Sequence, residues 1–235
     1  MDVFTKTSEM QAEALRHVKR DASVGFVPTM GALHAGHRSL IERAVDENEI
    51  AVVSIFVNPT QFNEDQDFQT YPRDPEQDLA VCEELGVDTV FAPPAEEMYA
   101  SRYQTTIFVQ QLTDHLCGLS RGRGHFVGVC SVVAKLFNIV QPTRAYFGQK
   151  DAQQAVIIQR MVEDLNFPVE IVVCPIVREA DGLALSSRNV RIPEGRRNAA
   201  LSLRRALCRG RDLIRQGEQQ GEVLRAAMTE VVEAE

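Results

Sequence analysis

The chain reads as an α/β protein built on a mostly parallel sheet with helices on both faces. Apolar runs of strand length alternate along it with amphipathic stretches of helical period. Its polar clusters fall at, or just beyond, the ends of the apolar runs, where open parallel sheets bind their ligands. Strands are expected at residues 23–28, 50–57, 87–92, 144–148 and 170–176, and helices near 8–19, 38–47, 75–85, 127–140 and 152–166. Each helix after the first lies between two strands, and such crossovers make neighbouring strands parallel and cover both faces. In the stretch 127–140, Val132, Val133, Leu136, Phe137 and Val140 recur at helical spacing and belong to the core. After Arg191-Ile192-Pro193 the texture turns helical and charged with no further strand signal. A boundary is therefore expected near Ile192, giving domains 1–192 and 193–235, with Pro193 opening a new helix. The arginines of that segment (Arg196, Arg197, Arg204, Arg205, Arg209, Arg211, Arg215) suit a solvated helix face.

Composition narrows the class. With 235 residues a sizeable core can be buried, and the net charge of −8 argues against a general nucleic-acid binder. The five cysteines (Cys82, Cys117, Cys130, Cys174, Cys208) are scattered, without a C-x-x-C pair, and read as reduced thiols. The N-terminus has no signal-peptide architecture. The apolar stretch 127–140 is short for a membrane span and is interrupted by Lys135 and Asn138. No membrane association is expected, and a cytoplasmic location is.

The most informative stretch is Pro28-Thr29-Met30-Gly31-Ala32-Leu33-His34-Ala35-Gly36-His37. It joins a strand to a helix, where unpaired N–H groups and the helix dipole favour an anion. Gly31 and Gly36 let backbone approach a ligand, and the two imidazoles can donate to phosphate oxygens, which suits a nucleoside triphosphate. After the second strand, the amides of Asn58 and Gln61 can grip a small polar molecule. Tyr71-Pro72-Arg73-Asp74 forms a turn before the next helix, and Gly124-His125-Phe126 opens the helix carrying Lys135. Phe147-Gly148-Gln149-Lys150-Asp151, followed by Gln153 and Gln154, again ends a strand before a helix. A lysine there runs against the dipole unless it shares a bound anion with that helix end. Last comes the Gly-containing loop from Arg178 to Asn189, with two hydroxyls and an arginine (Ser186, Ser187, Arg188) fitted to hold a departing pyrophosphate.

Taken together and in order, from about Val24 to Asn189, these clusters resemble the pantoate–β-alanine ligase family. His34-Ala35-Gly36-His37 and Ser186-Ser187-Arg188 are similar to the two signatures of the wider nucleotidylyltransferase superfamily, and the segments around Gln61 and Gln154 narrow the resemblance. It implies a Rossmann-like nucleotide-binding domain, a smaller C-terminal domain and a homodimer. It also implies a reaction in which ATP and pantoate give pantoyl adenylate and pyrophosphate, and β-alanine then releases pantothenate and AMP. Under that resemblance His34, His37, Lys150 and Arg188 are the catalytic candidates. The nucleotide is expected along Met30, Gly31, His34, Gly36, His37, Gly148, Gln149, Lys150, Asp151, Val177, Leu185, Ser186, Ser187 and Arg188. Pantoate and β-alanine are expected at Gln61, Gln154 and Asn58. Mg2+ is expected to arrive with ATP, with Asp78 as a candidate protein contact.

Two departures stand out. The family reads Ser-Arg-Pro-Gly-His-Phe where this chain has Ser120-Arg121-Gly122-Arg123-Gly124-His125-Phe126, one residue longer and without the proline. The family also continues beyond the equivalent of Glu235, so the C-terminal domain is expected to be truncated. Two rival readings remain: a nucleotidylyltransferase acting on another acceptor, and a module that binds nucleotide without completing a reaction.

Overall fold

The computed structural model describes residues 1–235. The chain divides into two compact units, Met1–Ile176 and Val177–Glu235. In order, the first unit contains β1 (Asp2–Phe4), α1 (Thr7–Lys19), β2 (Val24–Thr29), α2 (Ala35–Glu47), β3 (Ile50–Ile55) and a 3-10 turn (Pro59–Gln61). It continues through α3 (Asp65–Gln69), α4 (Pro75–Glu84), β4 (Thr89–Phe91), α5 (Ala95–Met98), α6 (Cys117–Val140), β5 (Arg144–Gly148), α7 (Ala152–Asp164) and β6 (Glu170–Cys174). The second unit contains α8 (Arg197–Arg215) and α9 (Gly221–Glu233).

The six strands form one sheet in the order β1-β4-β3-β2-β5-β6, and every pairing is parallel. Neighbouring residues on each strand serve opposite faces, as the pleat requires. Phe26, Val52 and Phe91 enter one core with Met10 of α1, Phe126, Val129 and Leu136 of α6, and Ile157 and Ile158 of α7. Val27, Val53 and Val90 enter the other with Leu40 and Ile41 of α2 and Cys82 of α4. Strands buried on both sides read as continuous apolar runs, which is why their positions were legible.

β2 lies at the centre and, the edge strand β1 apart, chain order runs outward from it in both directions, so its junction with β5 is the topological switch point. The pairing of β2 with β5 covers only Gly25–Arg144 and Phe26–Ala145. Val24 bonds Thr143 through its backbone, so alternate residues 26 and 28 also face β5. At the second of these stands Pro28, which has no N–H to give. The two strands part there, and their carboxyl ends open into a crevice.

Several expectations change. β1 was not anticipated: three residues at a sheet edge carry no readable period, and only pairing with β4 defines the strand. α6 begins at Cys117 rather than near Val127, with non-helical Gly122 (φ 71°, ψ 167°) separating its first turns from the main run. The helix is long and apolar enough to span a membrane by composition, yet 72% of that window is buried within the fold. Pro193 does not open a helix. Gly195, at φ +83°, breaks the backbone, and α8 starts at Arg197. The division into units falls before the loop of Arg178 to Asn189, whereas the change of composition falls after it. That loop is tied to α8 by ion pairs from Arg197 to Glu179 and Asp181. All five cysteines are free thiols.

The main run of α6 lies directly on the 3-10 turn. A Cβ on Gly128 would stand 2.4 Å from the carbonyl oxygen of Thr60 and 2.7 Å from the backbone nitrogen of Gln61. Gly128→Ala is therefore expected to lower stability by about 1–3 kcal/mol through forced backbone movement. Gly124→Ala, with nothing within 4 Å of its Cβ, should be neutral or stabilising by up to ~1 kcal/mol. Paired thermal unfolding of the two variants checks the contrast. Equal midpoints would contradict the close approach.

Candidate active site

The turn after β2 is held by a buried carboxylate. Asp78 of α4, 2% exposed, accepts the N–H of Ala32 at 2.9 Å with one oxygen and that of Leu33 at 2.7 Å with the other. Gly31, at φ +78°, runs so close that a Cβ would lie 2.7 Å from the same carboxylate. Asp78 is thus the anchor of the turn. Expectation placed it near a metal; in the fold each of its oxygens holds a backbone donor of the turn. No three acidic, histidine or cysteine side chains of the protein converge as a metal site.

Held in this way, the turn delivers both histidines to the crevice. α2 starts earlier than expected, so His34 is its N-cap and His37 lies in its first turn. His34 Nδ1 accepts the N–H of Gly36 at 3.1 Å, and His37 Nδ1 accepts the N–H of His34 at 3.3 Å. The two rings stack with centroids 4.0 Å apart. Burial, then the charge of Lys150, lowers the pKa of His34. Burial, followed by His34 and Lys150, pushes that of His37 down to about 3. Both imidazoles are therefore neutral at pH 7. With each Nδ1 occupied as an acceptor of a backbone N–H, the ring proton must sit on Nε2. The helix cap leaves two neutral Nε2–H donors. Lys150, on the turn between β5 and α7, stands close enough to influence both rings and pairs with Asp151 at 3.4 Å.

On the other side of β2, the 3-10 turn carries Asn58 and Gln61. Asn58 was expected to touch substrate, but it is 1% exposed and its amide is fully committed. Its Oδ1 accepts from Thr60 N at 3.3 Å, Thr60 Oγ1 at 2.9 Å and Tyr99 Oη at 2.8 Å. Its Nδ2 donates to Gly128 O at 3.2 Å and Gln61 Oε1 at 3.0 Å. A backbone N–H on one side and a backbone carbonyl on the other leave the amide one orientation. Gln61 consequently turns its oxygen to Asn58, and its Nε2 donates to Met30 Sδ at 3.1 Å. His125 Nδ1 lies 2.8 Å from the Gln61 carbonyl oxygen and fixes the same residue from α6. Asn58 is a positioning residue, and Gln61 is the group it presents.

At the start of α7, Gln153 receives the backbone N–H of Cys117 at 3.1 Å and donates to the carbonyls of Leu112 and His115 at 2.8 and 2.7 Å. It staples that loop and leaves Gln154, the next residue, half-buried beside it. Sequence reasoning overlooked Tyr99, whose position in an irregular segment carries no spacing signal.

The second unit carries Val177, Leu185, Ser186, Ser187 and Arg188. Leu185 N donates to Val177 O at 3.0 Å, and Ser186 Oγ accepts the N–H of Arg188 at 3.2 Å. An antiparallel bridge between Arg178 and Ala184 closes the hairpin before them.

A strand-to-helix turn with two histidine donors and a lysine is chemically suited to an anion. The family model described as pantoate-beta-alanine ligase matches residues 2–235. The chain belongs to this family of ligases. Its relatives include the pantothenate synthetase of Moorella thermoacetica, 57% identical over 216 residues that cover 92% of this chain and 76% of the relative. That of Heliobacterium modesticaldum is 53% identical, covering 100% of this chain and 83% of its own. Among solved structures, pantothenate synthetase from Thermus thermophilus superposes with a TM-score of 0.92 at 49% identity, covering 100% of this chain and 83% of that one. The pantoate-beta-alanine ligase of Francisella tularensis, complexed with beta-gamma ATP and β-alanine, gives a TM-score of 0.79 at 35% identity. The alignment with it covers 98% of this chain and 86% of that one.

Two outcomes test the geometry. Asp78→Asn places an amide NH2 against one of two backbone donors, and should cost the metal-free protein about 1–3 kcal/mol. Urea unfolding in chelator measures it, and a loss seen only when metal is present would restore a metal role. His37 titrates near 6.5 in an unfolded chain and at about 3 in the folded one. Its neutral form therefore stabilises the fold above about pH 6.5, and that contribution fades as pH falls toward 3. His37→Gln should flatten the acid limb of stability against pH. An unaltered limb would mean that the buried imidazole does not cause it.

Proposed function

We propose that this protein condenses pantoate with β-alanine at the expense of ATP through a pantoyl-adenylate intermediate. The observation that carries the reading is the capped pair of neutral Nε2–H donors beside Lys150 at the switch point of the sheet. In the first step a pantoate carboxylate oxygen attacks the α-phosphorus, an O–P bond forms, and the bond to the β-phosphate oxygen breaks. Negative charge grows on the α-phosphoryl oxygens and the leaving pyrophosphate. Such a step needs positioning and charge stabilisation more than covalent help.

His34 and His37 donate to the phosphates, with His37 on the developing charge. Lys150 bridges the α- and terminal phosphates, while Ser186, Ser187 and Arg188 hold the departing pyrophosphate. Backbone of Met30, Gly31, Gly36, Gly148, Gln149, Asp151, Val177 and Leu185 lines the nucleotide. Gln61 and Gln154 bind pantoate through uncharged amides, which do not tie up the nucleophilic carboxylate as a cation would. The Nε2 of Gln61, held only by the weak acceptor Met30 Sδ, suits a substrate oxygen. In the second step the β-alanine amine attacks the acyl carbon, and AMP leaves with the bonding pair. Mg2+ is assigned to the nucleotide's phosphates and not to Asp78. The family resemblance also supports a homodimer; the sequence alone supports a cytoplasmic location and a boundary near Ile192, later than the division of the fold after Ile176.

Exchange of labelled pyrophosphate into ATP, without β-alanine, tests the reading. Exchange that requires pantoate is expected; exchange without it, or with another acid instead, would reject the acceptor. His37→Ala should slow that exchange by roughly 10²–10³-fold, as for loss of one charge-stabilising donor. A near-normal rate would remove His37 from the chemistry.

A further inference from the structure

One arginine of the second unit has a place that the reaction as described does not use. Arg197, the first residue of α8, donates through Nη2 to Glu179 at 2.5 Å and through Nε to Asp181 at 2.7 Å. The other oxygen of Glu179 accepts from Asn189 Nδ2 at 2.6 Å, and the same amide nitrogen donates to Ala184 O at 3.0 Å. Asn189 directly follows Arg188. One guanidinium is thus connected, through a carboxylate and an amide, to the segment Ser186–Arg188. The hairpin is further held by Arg178, which donates to Gly182 O at 3.1 Å, and by Arg204, whose side chain lies against Gly182.

Single exposed ion pairs contribute little to stability. What matters here is where the two carboxylates stand. Glu179 and Asp181 belong to the loop assigned to a polyanion, and each sits below the usual carboxylate range chiefly because Arg197 hydrogen-bonds it. Left uncompensated, they would oppose the negative charge that the loop has to receive.

We propose that Arg197 is a positioning residue for pyrophosphate, cancelling the charge of Glu179 and Asp181 and orienting Asn189 so that Ser186–Arg188 is held in the shape that binds it. The proposal rests on the functional reading above, and the ligand class is an inorganic or nucleotide-linked pyrophosphate. Electrostatic and merely structural roles differ in one respect: only the first can be restored by deleting the carboxylates themselves.

The test uses the full chain and the pantoate-dependent exchange reaction, with inorganic pyrophosphate as the varied probe. Arg197→Gln should raise the apparent KM for pyrophosphate ~10-fold while leaving that for pantoate in place, the size expected for two half-screened charges nearby. Arg197→Lys should recover part of the loss. The triple variant Arg197→Gln, Glu179→Gln, Asp181→Asn keeps the carbonyl acceptors for Asn189 and Leu183, and should return to within ~3-fold of the original KM. A triple variant as weak as the single one overturns charge compensation, as does a single variant that matches the parent. Rises in both KM values together, with a falling unfolding midpoint, would make Arg197 a fold-stabilising residue only. Failure of the parent protein to catalyse exchange would overturn the functional reading first, and this inference with it.

Discussion

Two central strands stop pairing part-way along their length, and the site depends on that parting. β2 and β5 share a ladder only near their amino ends. Pro28 stands on the side of β2 that faces β5 and cannot extend the ladder. The sheet continues past this point on the β3 side, where the register runs through Thr29–Ile55. The central strands therefore part at their carboxyl ends while the pairings on either side continue. The turn with the histidines leaves from one lip, and the turn with Lys150 from the other.

Each group at the cleft is held by something that does not itself react. Asp78 grips the backbone of the histidine turn, and the cap of α2 selects the tautomer of both rings. Asn58, buried between Thr60, Tyr99 and Gly128, fixes the orientation of the Gln61 amide by donating to its oxygen. These supports are built from backbone donors and acceptors, whose polarity cannot change. A site preorganised in this way loses little free energy to reorientation when charge develops. Among the groups first associated with substrate or metal, Asn58 and Asp78 belong to the support.

The sequence was most legible where local period and burial agree. Strands covered on both faces had to be continuous apolar runs, and β2, β3 and β5 were found close to their observed bounds. His34, His37 and Lys150 were recognisable because their residue types sit at strand-to-helix junctions, where the backbone already favours anions. The short edge strand β1 and the first turns of α6 were not, since each is defined by a partner distant in sequence: β4 for the strand, Gln153 for the helix start.

By itself, then, the sequence determined the parallel α/β architecture, the turns at which a strand runs into a helix and the family to which they point. Tertiary structure alone decided which polar residues are consumed in holding the others. Asn58 and Gln61 stand three positions apart in one turn, and neither spacing nor residue type separates them. The difference is that Tyr99 and Gly128 reach Asn58 from elsewhere in the chain and bury it. A hydrogen bond between distant segments exists only once the fold has closed the loop between them, so no local pattern can record it.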